Sequence, residues 1–140
     1  MIGEVTLLGK DVTTLKKGDV VGVSPVRWSC MKCENCLKQR TNLCDDRVYL
    51  YGGEHFGGYC THVQINHHWA WPVPKDLKLE SAPPILCAGL TVYAPLRRHG
   101  KAGDRCAVIG IGGLGHLAIQ YASKMGMKVT AFTTKPERKN

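Results

Sequence analysis

Residues 106–132 read CAVIGIGGLGHLAIQYASKMGMKVTAF, and this stretch decides the fold class. Residues 106–109 form a continuous apolar run that ends in a glycine cluster. Leu114, Leu117, Ala118, Tyr121, Ala122 and Met125 then recur at helical spacing, and residues 128–132 make a second apolar strand. Strand, glycine turn, helix and strand in that order open a parallel α/β unit. Gly110, Gly112 and Gly115 spell GxGxxG. Alone that pattern reads equally as a flexible turn, but here it sits directly after a strand and before a helix. In that setting its glycines permit a tight turn, close approach to a pyrophosphate and close helix packing. The anion would lie at the helix N-terminus, where backbone N–H groups and the helix dipole favour negative charge. The segment is therefore expected to bind a dinucleotide.

The end of the second strand bears on which dinucleotide. An NAD site usually carries an acidic residue there to accept the ribose hydroxyls. This chain has Thr133, Thr134, Lys135, Pro136, Glu137 and Arg138 instead. Threonine hydroxyls and nearby cations suit a 2′-phosphate that a carboxylate would repel, which favours NADP over NAD. The plain alternative is that Lys135, Arg138 and Lys139 only form a solvated face.

Upstream the pattern changes. Residues 101–104 form a turn, and residues 80–96 have apolar spacing compatible with one or two short helices interrupted around Gly89 and Pro95. Before residue 80 the chain reads as β structure: a strand at residues 4–8, the turn pair Gly18-Asp19 before a strand at 20–23, a strand at 59–65 after paired glycines, and residues 69–73 running into prolines. The expected division is a β domain over 1–80, a connecting helical segment over 81–100 and the first β-α-β of a nucleotide-binding domain over 101–140.

Within the β part, residues 27–48 lose the apolar pattern and cysteines replace it. Cys30, Cys33, Cys36 and Cys44 form CxxCxxCx7C, a spacing that brings four thiolates to the corners of a tetrahedron around zinc. A disulfide framework is the alternative, but seven cysteines without a secretion signal argue against oxidised pairs. Zinc ribbons that bind nucleic acid usually separate two CxxC pairs by a longer spacer. With all four positions filled by protein, the metal has no place for substrate and its expected role is structural.

Composition sets the outer bounds. At 140 residues the chain suffices for one ordinary domain or parts of two, and 44% hydrophobic with 21% charged residues places it among globular proteins. No apolar stretch is long enough for a membrane span and no signal-peptide pattern opens the chain, so a cytoplasmic protein is expected. The formal charge of +8 falls to roughly +6 if four thiolates bind one zinc. The basic residues are scattered rather than massed with aromatics, so no nucleic-acid partner is expected.

Taken with Cys87-Ala88-Gly89-Leu90-Thr91-Val92-Tyr93 and residues 108–116, these motifs resemble the zinc-containing medium-chain alcohol dehydrogenases, in the cinnamyl-alcohol-dehydrogenase-like branch. The resemblance covers essentially the whole chain. It implies a mixed fold: a partial GroES-like β domain with a structural zinc lobe, followed by the start of a Rossmann α/β domain. It further implies NADP(H)-linked oxidoreduction of a small alcohol or aldehyde. Carried over by position, Cys30, Cys33, Cys36 and Cys44 hold structural zinc and Cys87 matches a catalytic zinc ligand. Thr91 lies near the nicotinamide, Gly110, Gly112, Gly113, Leu114 and Gly115 form the pyrophosphate loop, and Thr133, Thr134, Lys135 and Arg138 meet the 2′-phosphate. Two of the three usual catalytic zinc ligands have no match, and nothing in the spacing of His55, His62, His67 and His68 recommends them as replacements. The expectation is a chain truncated at both ends that is not active alone, with a protein partner covering its exposed strand edges.

Overall fold

The computed structural model describes residues 1–53, 55–135 and 137, and it divides into two compact units, residues 1–86 and 87–140. The division falls inside the segment read above as a connection.

The first unit is built from short strands: β1 (Ile2–Glu4), β2 (Val20–Val23), β3 (Val26–Trp28), β4 (Val48–Tyr49), β5 (Tyr51–Gly52), β6 (His55–Phe56) and β7 (Ala70–Pro72). β2 is the centre of an antiparallel sheet ordered β1-β2-β7, with Gly3 opposite Val21 and Gly22 opposite Trp71. The β1–β2 ladder closes through Gly18, whose φ of +89° only glycine adopts readily, and Asp19, whose carboxylate accepts the Lys16 N–H. Val21, Val23, Val26, Leu50, Trp69 and Ala82 form the apolar core. Gly22 lets Leu86 lie on the sheet, since a Cβ at that position would meet both Leu86 methyl carbons at 2.9 Å.

Two strand expectations shift and one fails. Pairing with β2 draws the first strand two residues earlier than expected and ends it at Glu4; the Val5 N–H just beyond it still reaches the Asp19 carbonyl, and Leu7 is left exposed. Trp69 belongs to a single 3₁₀ turn capped by the Asn66 side chain, and β7 begins after it. Residues 59–65 form no strand, although their composition favours one. A strand exists only by pairing, and among the described residues no neighbouring strand offers residues 59–65 a ladder.

The unit boundary lies in a wide π turn, Ile85–Gly89, that follows the short helical turn Ala82–Pro84 and leads into the helix Leu90–His99. The expected interruption at Gly89 is this wide turn. Pro95 does not break the helix: it is exposed, so the carbonyl that loses its partner can turn to water.

In the second unit, β8 (Arg105–Ile109) and β9 (Lys128–Phe132) pair in parallel from Arg105 opposite Lys128 to Ile109 opposite Phe132, joined by the helix Gly115–Lys124. Ala122 and Met127 are its buried apolar residues. Tyr93 meets Tyr121 edge to face at 6.2 Å, which packs the two helices of this unit on each other. Gly100 leaves the space that Met127 fills, because a Cβ there would overlap the methionine methyl group.

Candidate metal centre

The chain leaves the sheet after Trp28 and returns at Val48. β3 and β4 pair antiparallel there, and the Leu50 N–H bonds the Pro25 carbonyl at 2.6 Å, so residues 29–47 form a loop with a tied base. Met31 and Gln39, each with φ of +58°, reverse the chain on either side of a single helical turn, Glu34–Leu37. The Asn35 side-chain amide donates to the Leu43 carbonyl, and the Cys44 N–H reaches back to Thr41. Arg47 donates to the Cys44 carbonyl at 2.9 Å and to the Tyr49 hydroxyl at 2.9 Å, fixing the last cysteine to the returning strand.

These turns converge four sulfurs. The Sγ atoms of Cys30, Cys33, Cys36 and Cys44 all lie within 4.8 Å of one another, with Cys30 3.9 Å from Cys36 and 3.6 Å from Cys44. A tetrahedral zinc with bonds of about 2.3 Å places its sulfurs roughly 3.8 Å apart. A disulfide needs about 2.05 Å, and all seven cysteines are free thiols in this structure. The donor set is therefore consistent with a structural zinc site.

Proton affinities within the cluster show what a cation would relieve. The backbone N–H groups of Lys32 and Cys33 hold the Cys30 thiol down to about 6. Cys33 receives a lowering contribution from the Cys36 N–H, but burial and the thiols of Cys30, Cys36 and Cys44 together push it up to about 11. Cys44 also ends raised: the Cys30 backbone lowers it, but burial and its sulfur neighbours outweigh that. Four sulfurs this close readily share one negative charge and resist more, unless a metal ion compensates.

The glycine turn lies in the second unit. Gly110, with φ of +91°, makes the turn at the end of β8, and its N–H bonds the Phe132 carbonyl at the end of β9. A Cβ on Gly115 would overlap the Gly110 carbonyl oxygen, so only glycine lets the helix begin this close to the strand. At Gly112 and Gly113 a Cβ would meet no protein atom within 4 Å, and protein packing does not require glycine there. Leu114 is the half-exposed residue before the helix. His116, which sequence reading passed over, lies in the first helical turn, where its Nδ1 donates to the Gly112 carbonyl at 3.0 Å.

Thr133, Thr134 and Lys135 follow β9, and the Lys135 N–H donates to the Thr133 hydroxyl at 3.1 Å. Arg138 lies outside the described residues. Cys87 is exposed in the wide turn, and Thr91 is exposed one turn later. Among the described residues, the four cysteines above are the group of three or more potential metal donors close enough to share an ion, and Cys87 is not in it. The histidines are engaged elsewhere. His55 Nδ1 faces the Arg27 guanidinium at 3.2 Å in a cleft of about 410 Å³, His62 pairs with Thr61, and His67 pairs with Thr14 while stacking on His68.

Residues 1–75 match the alcohol dehydrogenase GroES-like domain. The chain is 40% identical to a probable mannitol dehydrogenase of Fragaria ananassa over 146 residues, an alignment covering 99% of this chain and 41% of that protein. It is 39% identical to probable cinnamyl alcohol dehydrogenase 1 of Oryza sativa subsp. japonica, covering 98% of this chain and 41% of the relative. Among solved structures, CAD from Helicobacter pylori complexed with NADP(H) superposes with a TM-score of 0.88 at 34% identity, covering 99% of this chain and 42% of that one. The chain thus spans about 41% of the length of the curated relatives it matches. With a matched domain over more than half its residues and a four-cysteine cluster inside that domain, this chain belongs to the zinc-containing medium-chain alcohol dehydrogenase family, with cinnamyl alcohol and mannitol dehydrogenases among its relatives.

Proposed function

We propose that this chain carries the structural-metal lobe and the adenosine-side nucleotide turn of an NADP(H)-linked oxidoreductase that interconverts a small alcohol and its aldehyde. The observation that carries the reading is the glycine turn, in which Gly115 lies against the Gly110 carbonyl while Gly112 and Gly113 leave room for a close-approaching ligand. The relative crystallised with NADP(H) supports the choice of nucleotide. In this reading Cys30, Cys33, Cys36 and Cys44 hold a structural zinc, and Gly110, Gly112, Gly113, Leu114 and Gly115 receive the pyrophosphate. Thr133, Thr134, Lys135 and Arg138 receive the 2′-phosphate, Thr91 lies beside the nicotinamide, and Cys87 contributes one thiolate to a catalytic metal. When bound, that metal polarises the alcohol oxygen and the nicotinamide exchanges the hydride. A single thiolate does not make the three-ligand open site such chemistry needs, so the 140-residue chain alone binds metal and nucleotide without turnover.

Titration calorimetry with NADPH and NADH, together with a panel of alcohols and aldehydes, tests this. NADPH should bind at least about tenfold tighter, the equivalent of roughly 1.4 kcal/mol, and no substrate should turn over. Equal affinities would remove the NADP assignment, and turnover at an ordinary enzyme rate would overturn the reading of Cys87. A second reading, a catalytically inactive module that pairs with another protein, is favoured by the apolar residues exposed at the strand ends, Ile109 at 87% and Phe132 at 54%. A chain that purifies as a well-folded monomer without a partner would count against it.

A further inference from the structure

Ser29 is 1% exposed and is the buried polar side chain among the described residues. It follows directly on β3, so the strand fixes its position at the entrance to the lobe. Its hydroxyl has two neighbours within hydrogen-bonding reach and both are sulfur: Cys36 Sγ at 3.3 Å and Met31 Sδ at 3.4 Å. Neither is a strong partner for a hydroxyl, since a thiol donates weakly and a thioether accepts weakly. A buried hydroxyl is costly without a good partner. A cysteine thiolate is a far better acceptor than either, because the bond becomes charge-assisted.

We propose that Ser29 is a positioning residue for the metal centre, its hydroxyl donating to the Cys36 sulfur when the four cysteines hold a metal ion. In the thiol form Cys36 S–H points at the Ser29 oxygen and the Ser29 hydroxyl proton points at Met31. With Cys36 Sγ at 3.3 Å and Met31 Sδ at 3.4 Å, rotation about the Ser29 C–O bond alone carries the hydroxyl proton from one sulfur to the other. The hydrogen bond would offset part of the charge that four thiolates leave around one divalent ion, orient the Cys36 sulfur and slow release of the metal. Met31, held at φ +58° between the first two cysteines, keeps its sulfur where the hydroxyl rests in the metal-free protein. The inference rests on the structural-zinc reading above.

The test uses the full chain loaded with Co²⁺ in place of zinc, comparing the parent with Ser29→Ala and Ser29→Thr. The expected result is a shift of the thiolate-to-cobalt charge-transfer band to lower energy in Ser29→Ala, because the sulfur loses its donor. Metal loss to a chelator should also accelerate by roughly ten- to a hundredfold, the usual effect of removing a group that supports a metal ligand. Ser29→Thr, which keeps the hydroxyl, should restore both. An unchanged band and release rate in Ser29→Ala would overturn the proposal, as would a Thr variant that behaves like Ala. If Ser29→Ala takes up no metal, Ser29→Thr decides alone: a parental band and release rate support the role of the hydroxyl, and a shifted band with faster release overturns the proposal. A parent chain that binds neither Co²⁺ nor Zn²⁺ would instead sink the structural-zinc reading itself, a distinguishable result.

Discussion

The four-cysteine lobe and the glycine turn organise their backbones in opposite ways. Between residues 29 and 47 the buried side chains are Ser29, Cys36 and Cys44, while Leu37 and Leu43 face solvent, so the lobe has sulfur where a domain has an apolar core. Its donors point inward, and four protein ligands close the site. The turn at residues 110–115 rests instead on an apolar strand–helix–strand unit with Ala122 and Met127 buried, and its special residues are defined by missing side chains. In the first region four converged thiols occupy the place of an apolar core, where a structural metal would substitute for hydrophobic burial. The second already has its packing and keeps one side available to a ligand.

The largest test of this contrast is Cys44→Ala. Structural zinc contributes about 10–16 kcal/mol of binding free energy in small zinc domains, so zinc per chain should fall to background, and trypsin should cut at Lys32, Lys38 and Arg40. Cys106→Ala in β8 should leave zinc content unchanged. If Cys44→Ala kept the lobe protected from protease, the metal would not be its core.

Two glycine substitutions separate packing from ligand approach. Gly115→Ala drives a Cβ into the Gly110 carbonyl and should destabilise the second unit by about 1–3 kcal/mol, read as a lower thermal midpoint at unchanged zinc content. Gly112→Ala adds a Cβ where no protein atom stands within 4 Å. It should alter stability by less than about 0.5 kcal/mol yet weaken NADPH binding by roughly tenfold or more, about 1.4 kcal/mol. Parental NADPH affinity in Gly112→Ala would remove the ligand-facing role given to this turn.

The lobe should also respond to pH as the turn does not. At pH 7 Cys30, held near 6, is already a thiolate, whereas Cys33, pushed up to about 11, and Cys44, also raised, carry protons that zinc must displace. Binding releases those protons, so affinity rises with pH and falls on acidification. These two thiols alone give a slope of about a hundredfold per pH unit near neutrality, at tenfold per proton released. Competition against a chromophoric chelator from pH 6 to 8 measures it, and a flat profile would mean the thiols ionise before metal arrives.

The smallest effect is expected at Lys135, exposed at the end of β9. Lys135→Ala should reduce the preference for NADPH over NADH by a few-fold, in keeping with a solvent-exposed charge pair worth up to about 1 kcal/mol. A preference left intact would return Lys135 to the solvated face.

Local chemistry was readable wherever neighbours in sequence are also neighbours in space. The CxxCxxCx7C spacing names its own four donors, and the strand, turn and helix around GxGxxG are contiguous, so both survive into the structure at the expected positions. Residues 59–65 show the limit. Their side chains suit a strand, but a ladder needs a partner that composition cannot supply. Ser29 shows it too: one residue before the first cysteine it reads as an ordinary polar position, and only the return of the chain through Cys36 buries it against sulfur. Arg138 lies outside the described residues, and its part in the nucleotide site stays a proposal.

What the sequence determined by itself was the four-cysteine donor set, the turn chemistry and the strand–turn–helix–strand order of residues 105–132, because these follow from periodicity, φ preference and ligand spacing over a few residues. Only the tertiary structure decided that the sulfurs lie at zinc-binding separations and that Gly115 must be glycine because a carbonyl stands against it. It also decided that Cys87 and the histidines gather no second group of donors among the described residues. Each of these depends on distances between segments far apart in the chain, which close packing sets and local preference does not.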